Sequence, residues 1–119
     1  MTNAVHSVVV RLDPSKLENP EIDIRWELVA ALSNRLGTEV VEDGFGYARN
    51  SDAMFIAFAI SSPEPFISEL VRVLEDERIL DNRLADGATI GIAPYGQFEN
   101  FSTHQIVYPL QSKGQTLED

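Results

Sequence analysis

The chain has 119 residues, the size of one domain, and 19 acidic against 9 basic side chains give it a formal net charge of −10. It has no cysteine, which excludes a disulfide scaffold, a thiolate metal site and a cysteine nucleophile. Its basic residues are few and scattered, which excludes a nucleic acid partner. We predict one domain over 1–119, with its core over about 5–110 and a frayed tail at 111–119.

The N-terminal sequence and the apolar runs indicate the cellular location of the protein. No basic residue precedes the first apolar run, as one would in a signal peptide. The longest strongly apolar run, Ala53 to Ile60, is far too short to cross a bilayer. We therefore expect a cytoplasmic protein with no membrane partner.

The first half of the chain predicts a strand followed by a helix. His6 to Leu12 contains three consecutive valines, which favour a strand buried on both faces. The helix is predicted to begin at Pro20, with Asn19 as its cap, and to end at Gly37. Apolar residues recur along it every four positions, and Trp26 is interpreted as a core anchor beside that stripe.

Two further strands are predicted after this helix. Thr38 to Glu42 is the first, and the glycines of Asp43–Gly46 indicate a turn or bulge, after which Tyr47 to Arg49 resumes the strand. Ala53 to Ser61 has no polar residue in its middle and is the strongest strand of the sequence.

The second half predicts another helix and two more strands. Ser62 caps a helix that begins at Pro63 and ends among residues 75–77, and one short helical turn follows within 79–85. Ala88 to Ala93 is a strand stopped by Pro94. After a loop, Thr103 to Leu110 is predicted as an edge strand.

This order of elements predicts an α+β fold of the ferredoxin-like βαββαβ type. Two right-handed crossovers would place both helices on one face of a four-stranded antiparallel sheet, with an extra C-terminal strand. In the third strand Met54, Ile56, Phe58 and Ile60 should face the helices, and Ala53, Phe55, Ala57 and Ala59 should lie on the open face. We expect that open apolar face to be covered by a second copy of the chain in a homodimer, by residues 95–110, or by a ligand.

The sequence indicates neither a metal site nor a bound cofactor. His6 and His104 are the two histidines, and they lie far apart without metal-ligand spacing. Gly44-Phe45-Gly46 resembles the start of a dinucleotide fingerprint, but it lacks the third glycine and no helix follows it.

The segment from Ile24 to Gly96 resembles small stand-alone bacterial domains of ferredoxin-like type. The resemblance lies in the helix ending at Gly37, the acidic glycine-containing hairpin at 42–46, the apolar strand at 53–60, the second helix and the closing strand. These domains are uncharacterised, so the resemblance implies a fold and transfers no functional residues. The acidic composition is also similar to that of bacterial immunity proteins, which neutralise a basic toxin.

These observations predict a non-catalytic, acidic protein-interaction or regulatory domain, of which an immunity-type binder of another protein is one form. The candidate interaction surface comprises Glu42, Asp43, Asp52, Phe55, Tyr95 and Phe98. The alternative is a small enzyme or small-molecule-binding domain that uses a cleft between the sheet face and the loop 94–102. Its polar groups would be Tyr95, His104 and Tyr108.

Overall fold

The computed structural model describes residues 6–21, 23–37, 40, 42–49, 51–94 and 104–117. Within these ranges the elements in chain order are β1 (His6–Leu12), α1 (Ile24–Leu36), β2 (Gly44–Tyr47), β3 (Met54–Ile60), α2 (Pro63–Asp76), β4 (Arg78–Ile79), β5 (Asn82–Arg83), β6 (Ala88–Pro94) and β7 (Gln105–Tyr108). The fold is α+β: five antiparallel strands form one sheet in the order β2-β3-β1-β6-β7, and β4 and β5 form a separate hairpin. Neither described helix is long and apolar enough to cross a membrane.

β1 lies at the centre of the sheet, between β3 and β6. Val8, Val9 and Val10 are all fully buried, which confirms that this strand is covered on both faces. Its side chains alternate between the two faces, so Val10 packs with the helices while Val9 belongs to a smaller cluster on the other face.

The main core lies between the sheet and the two helices. Met54, Ile56 and Phe58 of β3 belong to it, and Ile60 packs against it, as the alternation of β3 predicts. α1 contributes Ile24, Leu28 and Leu32, and α2 contributes Phe66, Leu70, Val73 and Leu74. The sheet face away from the helices is called the second face below.

The predicted start of the first helix is wrong, because α1 begins at Ile24 rather than at Pro20. Asn19 does not cap it. Its backbone N–H donates to Oδ1 of Asn82 at 2.7 Å, and its side chain donates to the carbonyl of Leu80 at 3.0 Å. Asn19 therefore ties the chain before α1 to the β4–β5 hairpin. The start of α2 at Pro63 is confirmed.

Two predicted local structures differ from the observed ones. Gly44 to Tyr47 forms the strand β2 instead of a turn, paired with β3 in the register Gly46↔Phe55. The predicted strand at 38–42 falls largely outside the described residues. Of the helical turn predicted within 79–85, Leu84 and Ala85 do form a 3-10 helix, Leu84–Asp86. Ile79 and Leu80 belong instead to the β4–β5 hairpin, whose turn contains Leu80 and Asp81 with positive φ.

The C-terminal part of the chain is more ordered than predicted. The sheet has five strands, because the predicted C-terminal edge strand forms as β7, shorter than predicted, and pairs with β6. Residues 110–112 form a 3-10 helix, and the following residues run back along β7. Leu117, within the predicted frayed tail, is 2% exposed and packs on the second face with Phe55 and Ile106. This segment covers part of the face that the sequence leaves open.

Candidate functional site

Two large aromatic side chains are exposed on one side of the molecule. Trp26 of α1 is 54% exposed and Tyr47 of β2 is 55% exposed. The interpretation of Trp26 as a core anchor is therefore wrong. It lies two residues from both Ile24 and Leu28, and at 100° per residue it points about 200° away from those buried positions. Exposed aromatic rings that lie together are typical of surfaces that bind other molecules.

Arg25 joins these rings into one surface. Its guanidinium carbon lies 4.2 Å from the ring centre of Trp26 and 4.0 Å from that of Phe45. Phe45 in turn contacts Tyr47 edge to face, with ring centres 5.4 Å apart. We call Arg25, Trp26, Phe45 and Tyr47 the aromatic patch. Cation–π contact and edge-to-face packing hold its members in fixed positions before anything binds.

Glu42 supports the aromatic patch from inside. Both Nε and Nη2 of Arg25 donate to its carboxylate, and the Nε–Oε2 distance is 3.3 Å. This two-point contact fixes the plane of the guanidinium between the rings. Glu42, predicted as part of the interaction surface, therefore acts through Arg25 and does not present a free charge.

Other carboxylates border the aromatic patch. A groove of about 150 Å³ runs beside Tyr47 and is lined by Glu21, Asp52, Pro14, Pro20 and Met54. Asp23 lies three residues before Trp26 on the same side of α1, and Asp43 immediately precedes β2; both are exposed. Asp23, Asp43 and Asp52 form no ion pair with any described residue. The rings are therefore bordered by three carboxylates that form no ion pair within the described part of the chain.

The remaining predicted surface residues are not brought to this patch. Phe55 is 0% exposed within the single chain, where it packs with Val9, Ala57 and Leu117. A buried side chain cannot form an exposed surface, so Phe55 is not part of a binding surface of the single chain. Tyr95 and Phe98 lie outside the described residues.

The alternative pocket does not assemble from its described members, because they occupy opposite faces of the sheet. His104 is fully buried on the second face, with Nε2 3.0 Å from Oγ of Ser7. Tyr108 packs on the helix side, where its hydroxyl donates to Glu75 of α2 at 2.8 Å. The pKa of Tyr108 is raised to about 12, mainly by burial and next by this hydrogen bond. The hydroxyl is therefore protonated at neutral pH and cannot act as a general base.

A polar cleft of about 310 Å³ lies where the C-terminal segment meets β1 and β6. Its lining includes Arg11, Asp13, Lys16, Asp86, Thr89, Ser112 and Gln115. Asp13 accepts hydrogen bonds from Oγ and N–H of Ser15 at 2.7 and 3.0 Å, and the first of these is the main cause that lowers its pKa. Asp86 pairs with Arg83, whereas Lys16 has no ion-pair partner among the described residues. Sequence reasoning missed this cleft, since its residues are far apart in the chain.

No three His, Asp or Glu side chains of the described ranges lie together as metal ligands would.

Comparisons with protein-family models, with curated proteins and with solved structures found no match. The exposure of Trp26 was detectable from helix periodicity, but the assembly of the aromatic patch around Arg25 was not, because Phe45 and Tyr47 come from a distant strand.

Proposed function

We propose that this protein is a non-catalytic, acidic interaction domain that binds a Lys- or Arg-bearing segment of another protein through the aromatic patch. The observation that carries the proposal is the joint exposure of Trp26 and Tyr47 beside carboxylates that form no ion pair with a described residue. An immunity-type binder, which blocks a basic protein by occupying its surface, is one form of this function.

The chemistry of the patch selects a cationic partner. Ring faces of Trp and Tyr attract ammonium and guanidinium groups, and Arg25 already stacks in this way on Trp26. A partner cation on the outer side would contact the rings and pair with Asp23 or Asp52. The net charge of −10 would speed encounter with a basic partner and slow encounter with an acidic one.

The test uses an alternating Lys-Val dodecapeptide as the basic probe and a Glu-Val dodecapeptide as its charge-reversed control. Trp26 is the single tryptophan, so its emission reports directly on the patch. We expect the Lys-Val peptide to change that emission and to bind less tightly as salt rises, and the Glu-Val peptide to do neither.

Calorimetry on two variants then locates the binding. Trp26→Ala should weaken binding of the Lys-Val peptide by about tenfold or more, as truncation of a central interface aromatic does. Leu110→Ala is the matched control, because Leu110 is 76% exposed and lies by β7, at the opposite edge of the sheet. Equal effects of the two substitutions, or no binding of the Lys-Val peptide, would contradict the proposal.

We further propose that β1, α1, β2, β3, α2 and β6 form a ferredoxin-like unit to which β7 is added. The proposal is supported by the strand order β2-β3-β1-β6 and by the helices that follow β1 and β3. Cross-strand NMR contacts for the pairs Val9↔Ala57 and Val9↔Gly91 would test it, and their absence would refute it.

Small-molecule binding in the polar cleft is a second candidate function. It is supported by the cleft's volume of about 310 Å³ and by Lys16, which forms no ion pair with a described residue. The ligand class would be a small polar acid, held by the ammonium and the neighbouring hydroxyls of Thr89 and Ser112. Thermal shift with succinate and citrate tests this: a rise in Tm that Lys16→Ala abolishes favours it, and no rise with the native protein counts against it.

A further inference from the structure

The two edges of the sheet differ in what they offer to another chain. The outer edge of β7 is covered by the chain itself: N–H of Ile106 donates to Gln115 at 2.7 Å, and N–H of Leu117 donates to the carbonyl of His104 at 3.0 Å. At the other edge, β2 pairs with β3 on its inner side, and no described residue pairs with its outer side. An uncovered edge strand is a template for strand addition.

The backbone groups that face outward on β2 belong to Phe45 and Tyr47. N–H of Ala48 donates to the carbonyl of Ala53 at 2.9 Å, so Ala48 faces β3. Because backbone groups alternate in direction along an antiparallel strand, Gly46 also faces β3, and the N–H and C=O of Phe45 and Tyr47 face away from it. These four groups have the spacing that an incoming strand requires.

The side chains beside this edge determine what the two faces of an incoming strand would contact. The side chains of Phe45 and Tyr47 lie on the helix side of β2, within the aromatic patch, while the glycines lie toward the second face. A Cβ placed on Gly46 would meet no atom of the described residues within 4 Å, so they leave space open there. A partner strand would therefore direct alternate side chains to the aromatic rings and the others to open space.

We propose that the basic partner binds as an extended strand added to the outer edge of β2, with its Lys or Arg side chains on the side of the aromatic patch. This inference rests on the proposed function and specifies its geometry. Backbone hydrogen bonds to Phe45 and Tyr47 would supply affinity, and the rings with Asp52 would supply selectivity for cations at alternate positions.

The experiment compares two probes of equal charge and length, the Lys-Val dodecapeptide and the same peptide with every backbone amide nitrogen methylated. Methylation removes every backbone N–H that could donate to the carbonyls of Phe45 and Tyr47, so the second probe keeps the cations but pairs poorly as a strand. We expect the Lys-Val peptide to bind about tenfold tighter or more. We also expect it to slow amide hydrogen exchange at Phe45 and Tyr47, whereas the methylated peptide should not.

The outcomes separate this inference from the function on which it rests. If both peptides bind equally and Trp26→Ala weakens both, the patch binds cations without strand addition, and the inference is overturned while the proposed function stands. If neither peptide binds, the proposed function fails as well. If Phe45 and Tyr47 become protected without peptide as protein concentration rises, a second copy occupies the edge, and its assignment to a basic partner is wrong.

Discussion

Leu117 and Gly91 form a contact that tests how the C-terminal segment covers the second face. A Cβ on Gly91 would lie 2.7 Å from Cδ1 and 2.8 Å from Cγ of Leu117, and 3.0 Å from Cβ of His104. Ordinary contact between carbon atoms needs about 3.5–4.0 Å. Gly91→Ala should therefore strain the contact, and forced overpacking of a core costs about 1–3 kcal/mol.

A double-mutant cycle isolates this contact. Leu117→Ala removes a side chain that is 2% exposed and should lower the free energy of unfolding by about 2–4 kcal/mol. It also removes Cδ1 and Cγ of Leu117, the two atoms that lie closest to the Cβ introduced by Gly91→Ala. The double variant should therefore be more stable than the sum of the single effects predicts, by about 1–2 kcal/mol. The relief is partial, because Cβ of His104 remains in place.

Urea unfolding followed by far-UV circular dichroism measures the four free energies. Gly46→Ala is the matched control: Gly46 is also a strand glycine, but a Cβ there meets nothing within 4 Å, so it should show no coupling to Leu117→Ala. If the effects at Gly91 and Leu117 add to within about 0.5 kcal/mol, the C-terminal segment does not rest on β6 as described.

Two further predictions concern polar contacts. The pKa of Tyr108, raised to about 12, lies above the unfolded value of about 10, so its contribution to stability should be complete below about pH 10 and lost as pH rises toward 12. Phenolate absorbance should show Glu75→Gln lowering that pKa, and an unchanged value would contradict the role of the hydrogen bond. Asn82→Ala removes a buried amide that bonds the backbone of Asn19 and Ile79, and urea unfolding should show a loss of about 2–4 kcal/mol. A loss below about 0.5 kcal/mol would refute that role.

The parts of the fold that follow from the sequence are those in which one physical requirement dominates. The valines of β1 and the apolar run of β3 leave no polar face, so their central position follows from burial alone. α2 begins at Pro63 because a proline lacks the N–H that the first helical turn does not use. At these positions local preference and tertiary packing agree.

The sequence misleads where a distant contact overrides a local preference. Asn19 and Pro20 favour a helix start, but Asn82, far along the chain, bonds Asn19 and moves the start of α1 to Ile24. Leu117 stands among polar residues without periodicity, so the sequence pattern gives no sign that it is buried. Its burial depends on Gly91, which has no side chain and leaves room for it. Both cases need the tertiary fold before they can be recognised.

The candidate site follows from the sequence only in part. The helical angle between Trp26 and Ile24 predicts exposure of the indole, although the apolar character of Trp26 suggested burial. The acidic surroundings could be expected from Asp43 and Asp52. The stacking of Arg25 on Phe45 could not, because it depends on how α1 packs beside β2.

The pairing of Ile106 and Leu117 with the returning C-terminal segment limits how strands could assemble on this protein. Growth of an open-ended fibre by edge pairing needs a free edge on each side of every subunit. Within the described residues, the returning segment 114–117 occupies the outer side of β7, whereas the outer side of β2 is free. Strand addition at β2 would therefore stop after one step, as a complex with one partner or a closed pair of copies, and would not propagate into a filament.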